Sequence, residues 1–169
     1  MSFDQESGRD LLLGQTPSGP LTIRMRMPSD PRLLPVVRSA ISEFAAVWGF
    51  DEVQCRSITL AVDEALSNVI RHAYKNRCDC EVELNCQAHT DCLEVTFVDR
   101  GEPADPSRLC AQPLDEVALC GRGTHIIREI MDEVCYERVG EGNRLRLKKY
   151  LPAADCKASQ PADQVRGKA

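Results

Sequence analysis

The sequence predicts an α/β fold, a two-layer α/β sandwich in which a mixed, mostly antiparallel sheet carries helices packed on one face. Three observations lead there. Short segments alternate apolar and polar residues with period two, while others repeat apolar residues at three- and four-residue spacing. The two kinds follow one another as strand, two helices, two strands, long loop, helix, two strands. Bulk composition agrees, since 169 residues at 43% hydrophobic and 28% charged suffice for one domain with a single core.

The first strand is expected over Leu21 to Met27, where Leu21, Ile23, Met25 and Met27 alternate with Thr22, Arg24 and Arg26. Ser29 or Asp30 can cap a helix starting near Pro31, and Leu33, Leu34, Val37, Ala40, Ile41, Phe44 and Ala45 give it one apolar face until Gly49. A second helix is predicted from Asp51 as N-cap to about Tyr74, with Ile58, Val62, Ala65, Leu66, Val69 and Ala73 as its stripe. Strands come next at about Asp79 to Gln87 and Leu93 to Val98, turning at His89-Thr90-Asp91. Periodicity then stops from Gly101 to Gly123, a stretch too long for an ordinary connection and expected to be a lid or binding loop. A third helix should start near Gly123 and carry Ile126, Ile127, Ile130 and Met131 inward. The last hairpin is expected from Glu133 to Val139 and Arg144 to Tyr150, turning at Gly140-Glu141-Gly142-Asn143.

The domain is therefore drawn over residues 20–151, with flexible tails at 1–19 and 152–169, both rich in polar residues, Gly or Pro. Lys plus Arg is 21 against 26 for Asp plus Glu, a net charge of -5, so no basic excess exists to hold a phosphate backbone, and nucleic acid is not expected as a direct partner. No stretch approaches the roughly 20 apolar residues of a bilayer crossing, and Met1 to Asp10 lacks the basic start of a secretion signal. A cytoplasmic protein without a membrane partner is expected. The nine cysteines are odd in number and lack a Cys-x-x-Cys pair, so reduced thiols are expected rather than a disulfide scaffold or a zinc site.

Three features carry chemistry. Glu64 and Asn68 are one turn apart on the second helix, with Asn68 about 40° and the apolar stripe about 150° round the wheel from Glu64. The pair thus flanks the core face, where a helix borders a pocket, although an isolated Glu-x-x-x-Asn is equally a solvated helix face. In Val98-Asp99-Arg100-Gly101-Glu102-Pro103 an acid ends an apolar strand and Gly101 opens the long loop. Asp99 can accept the exocyclic amino group of a purine, or simply start a loop. The loop closes at Gly121-Arg122-Gly123 before a helix, where close backbone approach and free N–H groups suit phosphate.

In this order the three features resemble the GHKL ATPase superfamily of gyrases, heat-shock chaperones and histidine kinases, with its N box and two glycine boxes. The small anti-sigma serine kinases of the RsbW and SpoIIAB type are most similar. The resemblance rests on Leu60-Ala61-Val62-Asp63-Glu64-Ala65-Leu66-Ser67-Asn68, His72-Ala73-Tyr74, the Asp99 motif and Met131-Asp132-Glu133-Val134, and covers about Leu21 to Leu151. It implies a Bergerat-type ATP-binding fold using ATP and Mg²⁺. By it, Glu64 is the general base, Asn68 coordinates Mg²⁺, Asp99 reads adenine, Gly101 packs against the base, and Gly121, Arg122 and Gly123 close a lid over the phosphates. Arg122 would offset developing charge there, or pair with a surface acid; His72 is assigned a structural role.

The resemblance further implies an anti-sigma factor that phosphorylates an anti-anti-sigma (STAS-domain) protein and sequesters a sigma factor, working as a homodimer. Two alternatives stay open: a nucleotide-gated binding module without turnover, and a switch-protein kinase with no sigma partner. The chain departs from the pattern in its last hairpin, where Gly142-Asn143 replaces the usual Gly-Thr whose hydroxyl assists adenine recognition, and at Thr124, where a large apolar residue is common.

Overall fold

A computed structural model of the chain describes residues 20–103 and 122–152. The expected tails, at 1–19 and 152–169 apart from Pro152, the central part of the long loop, Gly121 and the side chain of Arg122 lie outside the described residues. Five strands form one sheet: β1 (Leu21–Pro28), β2 (Glu81–Ala88), β3 (Cys92–Asp99), β4 (Glu133–Val139) and β5 (Gly142–Tyr150). Their spatial order is β1-β2-β3-β5-β4. Each of the four pairings is antiparallel, so the sheet is not mixed as expected. Tight hairpins join β2 to β3 and β4 to β5; β2 returns beside β1 in the opposing direction, whereas β4 runs in the same direction as β3, with β5 between them.

Helices α1 (Leu34–Trp48), α2 (Glu52–Asn68) and α3 (Arg122–Ile130) complete the fold. The chain enters α1 through a short 3-10 turn, Pro31–Leu33, capped by Asp30, whose carboxylate accepts the Arg32 N–H at 2.9 Å. Gly49 ends α1 in the left-handed region at φ +112°. Asp51 and Gln54 form a reciprocal capping box at the start of α2, satisfying two of the helix's otherwise unpaired donors. The predicted run to Tyr74 is not all α-helical, because α2 stops at Asn68 and Val69–Ala73 winds on as a π turn, with Tyr74 N–H bonded to Val69 C=O at 3.0 Å.

One face of the sheet is apolar and covered. Val82, Leu84, Leu93, Val95, Phe97 and Leu147 are fully buried, as are Ile41, Ile58 and Val62 from α1 and α2. Each such side chain contributes about 1.5–3 kcal/mol by leaving water. The opposite face carries exposed pairs such as Arg26 with Glu81 at 2.6 Å and Arg144 with Glu137 at 3.1 Å, each worth about 0–1 kcal/mol. In α3, Ile127 and Met131 just beyond it are buried, whereas Ile126 and Ile130 are only half-buried.

Candidate functional site

At the end of β3, the alternation that buries Leu93, Val95 and Phe97 puts Asp99 on the same covered face. Asp99 is 6% exposed, and its carboxylate accepts two hydrogen bonds on one oxygen, Oδ1: Gly101 N–H at 2.8 Å and Asn143 Nδ2 at 2.7 Å. Burial pushes the Asp99 carboxyl above the usual range, while Asn143, the Gly101 amide and the Arg138 cation oppose that shift.

Asn143 lies directly across from Asp99 in the β3–β5 ladder, and Arg138 directly across from Asn143 in the β5–β4 ladder. A polar row therefore crosses three strands at the covered end of the sheet. Asn143 Oδ1 accepts the Tyr136 hydroxyl and Arg138 Nη1, each at 2.7 Å. Asn143 Nδ2 also reaches the carbonyls of Gly101 at 3.3 Å and Glu102 at 3.2 Å. The expected hairpin turn is thus shorter than the sequence suggests: Gly140, at φ +58°, and Glu141 make it, and Asn143 is a buried strand residue.

The segment after Asp99 is held from the helical side too. The Tyr74 hydroxyl accepts Arg100 N–H at 2.9 Å, and Glu102 N–H bonds to Ala73 C=O at 2.9 Å. A Cβ on Gly101 would fall 2.5 Å from Ala73 O and 2.6 Å from Ala73 Cβ, so glycine is needed here for contact with the π turn. On the side where a Cβ would project, Gly101 meets Ala73 of the protein itself.

The second group of residues lies at the other end of that π turn. Glu64 and Asn68 are both part-exposed on α2, at the edge of the core stripe. The first turn of α3 rests on them: a Cβ on Gly123 would be 2.6 Å from Glu64 Oε2 and 3.4 Å from Asn68 Nδ2. Glu64 is 26% exposed and pairs with Arg71 Nη2 at 3.6 Å, while Arg71 Nε donates to Ser67 C=O at 3.2 Å. The carboxylate thus sits at the positive end of α3, on the same side as the Asn68 amide. His72 is exposed on the π turn.

The structure therefore brings together Glu64, Asn68 and Gly123 on one side, and Asp99 with Gly101 on the other. Asn68 leads into the π turn and Ala73 at its far end touches Gly101, so a single turn joins the two groups. π turns recur at functional sites for this reason, since one extra residue re-aims the side chains beyond it. The sequence assigns no chemical role to Tyr74, Tyr136, Arg138 or Arg71. Among the described residues no cluster of three or more His, Cys, Asp or Glu could hold a metal by itself. The amide oxygen of Asn68 does suit a hard cation such as magnesium that brings its remaining ligands as phosphate and water. Cys55, Cys78, Cys80, Cys86, Cys92 and Cys135 are free thiols, and burial pushes Cys86 up to about 12.

An antiparallel sheet covered by helices, with a carboxylate–amide pair on one helix and a buried acid at a strand end, describes an ATPase domain of the histidine kinase type. Residues 27–149 match the model of the histidine kinase-like ATPase domain, and the chain belongs to that family. It is 28% identical over 151 residues to serine-protein kinase RsbW of Oceanobacillus iheyensis, covering 85% of this chain and 94% of the relative. Serine-protein kinase RsbW of Bacillus subtilis is 27% identical over 137 residues, covering 76% and 85%. Among solved structures, the RsbU and RsbW domains of Rv1364c from Mycobacterium tuberculosis share the fold at TM-score 0.54 and 15% identity, over 76% of this chain and 31% of that one. No helix among the described residues is long and apolar enough to cross a membrane.

Proposed function

We infer that this chain is an ATP-dependent serine/threonine protein kinase and anti-sigma factor. The observation that carries the reading is the meeting of Glu64, Asn68 and Gly123, which brings a carboxylate and a side-chain amide to one helix N-terminus. Asp99 accepts the 6-amino group of adenine, with Gly101 holding the strand end in place. Asn68 would hold Mg²⁺, and Gly121, Arg122 and Gly123 would close over the phosphates. An ion held there would supply positive charge to offset that of the triphosphate.

The reaction is built on these positions. A hydroxyl oxygen of the protein substrate forms a bond to the γ-phosphorus, the bond from that phosphorus to the bridging oxygen breaks, and ADP leaves. Glu64 accepts the hydroxyl proton as the new bond forms. The substrate is an anti-anti-sigma protein with a STAS domain, and the alternative partner is a sigma factor held when the antagonist is phosphorylated. The family resemblance and the relatives' name, serine-protein kinase, support this reading. The chain is proposed to act in the cytoplasm as a homodimer with domain bounds 20–151.

Calorimetric titration with ATP, with and without Mg²⁺ and with GTP as control, tests the pocket. Magnesium-dependent, ATP-selective binding followed by transfer of labelled γ-phosphate to a STAS-domain protein is the expected result. Selective ATP binding with no transfer to any such protein supports instead a nucleotide-gated binding module.

A further inference from the structure

We propose that the corner formed by Leu21, Val47 and Trp48 is a docking site for a segment of this chain's own N-terminal region, the leucine run Leu11-Leu12-Leu13. The proposal does not depend on the reading of the nucleotide site, because the corner lies at the opposite end of the sheet from Asp99.

The corner follows from the order of the helices. α1 packs on α2, α2 on α3, and α3 against β4 at one edge of the sheet, so α1 lies toward the other edge, β1. Cover is incomplete there. Val82, Leu84, Val95 and Phe97 of β2 and β3 are fully buried, whereas Ile23, Met25 and Met27, on the same face of β1, are half-buried. Arg38 pairs with Asp63 of α2 at 3.0 Å and so marks the flank of α1 that meets α2. Val36 and Val47 lie about 160–180° round the wheel from Arg38, on the flank with no helix beside it among the described residues, and are 61% and 72% exposed.

The last turn of α1 and the start of β1 share one end of the molecule. A Cβ on Gly49 would lie 4.0 Å from Leu151 Cδ2, and Leu151 N–H bonds to Asp91 C=O at 2.8 Å in the β2–β3 hairpin. Leu21 stands across from Ala88, where that hairpin begins, and is 39% exposed. Trp48 is half-buried beside Val47. Large apolar side chains left in water at the rim of a core are surface that a further segment can cover. Two ring nitrogens at this end, Trp48 Nε1 and His89 Nε2, are buried with no hydrogen-bond partner among the described residues, so polar groups there lack a neighbour too.

The occupant is argued from the chain itself. Seven residues, Gly14 to Pro20, join Leu13 to Leu21 at the corner. Extended, they reach about 23 Å, against roughly 10 Å between packed elements, so the run can fold back onto α1. The residues from 153 to 169 carry Val165 as their one large apolar side chain, and so offer no comparable run. On so short a tether the leucines compete at high effective concentration against any separate chain.

Trp48 is the sole tryptophan, so its fluorescence reports on the corner without a label. Acrylamide quenching and the emission maximum are measured on the full chain, on the triple variant Leu11→Ser, Leu12→Ser, Leu13→Ser, on Val47→Ser, and on the two combined, with thermal unfolding as a folding control. The triple variant is expected to raise the quenching constant by about twofold and to shift emission to the red. Val47→Ser should produce part of the same change, and the combined variant should go no further than the triple variant, because both remove one contact. Shielding of Trp48 in the wild type should persist on dilution. Quenching that the leucine substitutions leave unchanged, or effects of the two sets that simply add, overturns the proposal. Shielding lost on dilution, as the mass in light scattering falls from dimer to monomer, also overturns it, since a second copy then covers the corner.

Discussion

The two halves of the site are built differently. Around Asp99, side chains are buried or clamped, and Asn143, Gly101, Tyr74 and Ala73 fix the strand end through bonds of 2.7–2.9 Å. Around Glu64, groups are part-exposed, and among the described residues the carboxylate pairs at 3.6 Å with an Arg71 that is itself 52% exposed. The Asp99 end, proposed to read the base, is thus organised within the protein itself, as selective recognition requires. The Glu64 end, proposed to take the proton, leaves its carboxylate part-exposed, as proton transfer requires. Substitutions in the two halves should therefore separate binding from chemistry.

The largest effect is expected from Glu64→Gln, which keeps the shape and removes the base. Phosphoryl transfer should fall by about 10²–10⁴-fold in a labelled-phosphate assay, with the ATP dissociation constant within about threefold of wild type. Asp99→Asn comes next. It replaces an acceptor by an NH₂ facing the adenine amino group, and ATP affinity should drop by about 10–100-fold.

That variant also sharpens the contrast through stability. The folded-state pKa of Asp99 is raised, so the folded protein binds its proton more readily than the unfolded chain. The stabilising contribution of this group is fully present below the unfolded value and is lost as pH rises through the folded one. At neutral pH the ionised acid therefore costs stability, and Asp99→Asn should raise the unfolding midpoint at pH 7 while abolishing selective binding. Acidification through the raised pKa should weaken ATP binding in the wild type at a higher pH than an ordinary carboxylate would.

The two glycines separate the halves again. Gly101→Ala drives a methyl into the Ala73 backbone, which cannot swing away, and should cost about 1–3 kcal/mol in denaturant unfolding. Gly123→Ala meets the end of the Glu64 side chain, which can turn, so its stability cost should be smaller and its effect should fall on turnover. Arg71→Gln should change stability least, by about 0.5 kcal/mol or less, because its pair with Glu64 is solvent-screened.

Much of this molecule is legible in its sequence where the physics is local. The alternation in Leu21 to Met27 yields β1, and the Asp51 cap and apolar stripe yield α2. Asp99 is readable because it continues the inward-facing parity of Val95 and Phe97. The π turn is not, since Val69-Ile70-Arg71-His72-Ala73 has the composition of continuing helix, and the segment it packs against, at Gly101 and Glu102, lies far along the chain. Asn143 reads as a turn residue because Asn beside Gly favours turns. Its partners Asp99 and Arg138 become neighbours only through the strand order β3-β5-β4. The family resemblance supplied roles for Glu64 and Asn68 that spacing alone could not.

The most direct test of this division is calorimetric titration of ATP, in Mg²⁺, into Glu64→Gln and Asp99→Asn side by side. Near wild-type affinity in the first and about 10–100-fold weaker binding in the second is the predicted result. Unchanged affinity in Asp99→Asn, or its loss in a folded Glu64→Gln, would contradict the assignment of recognition to the strand end and chemistry to the helix.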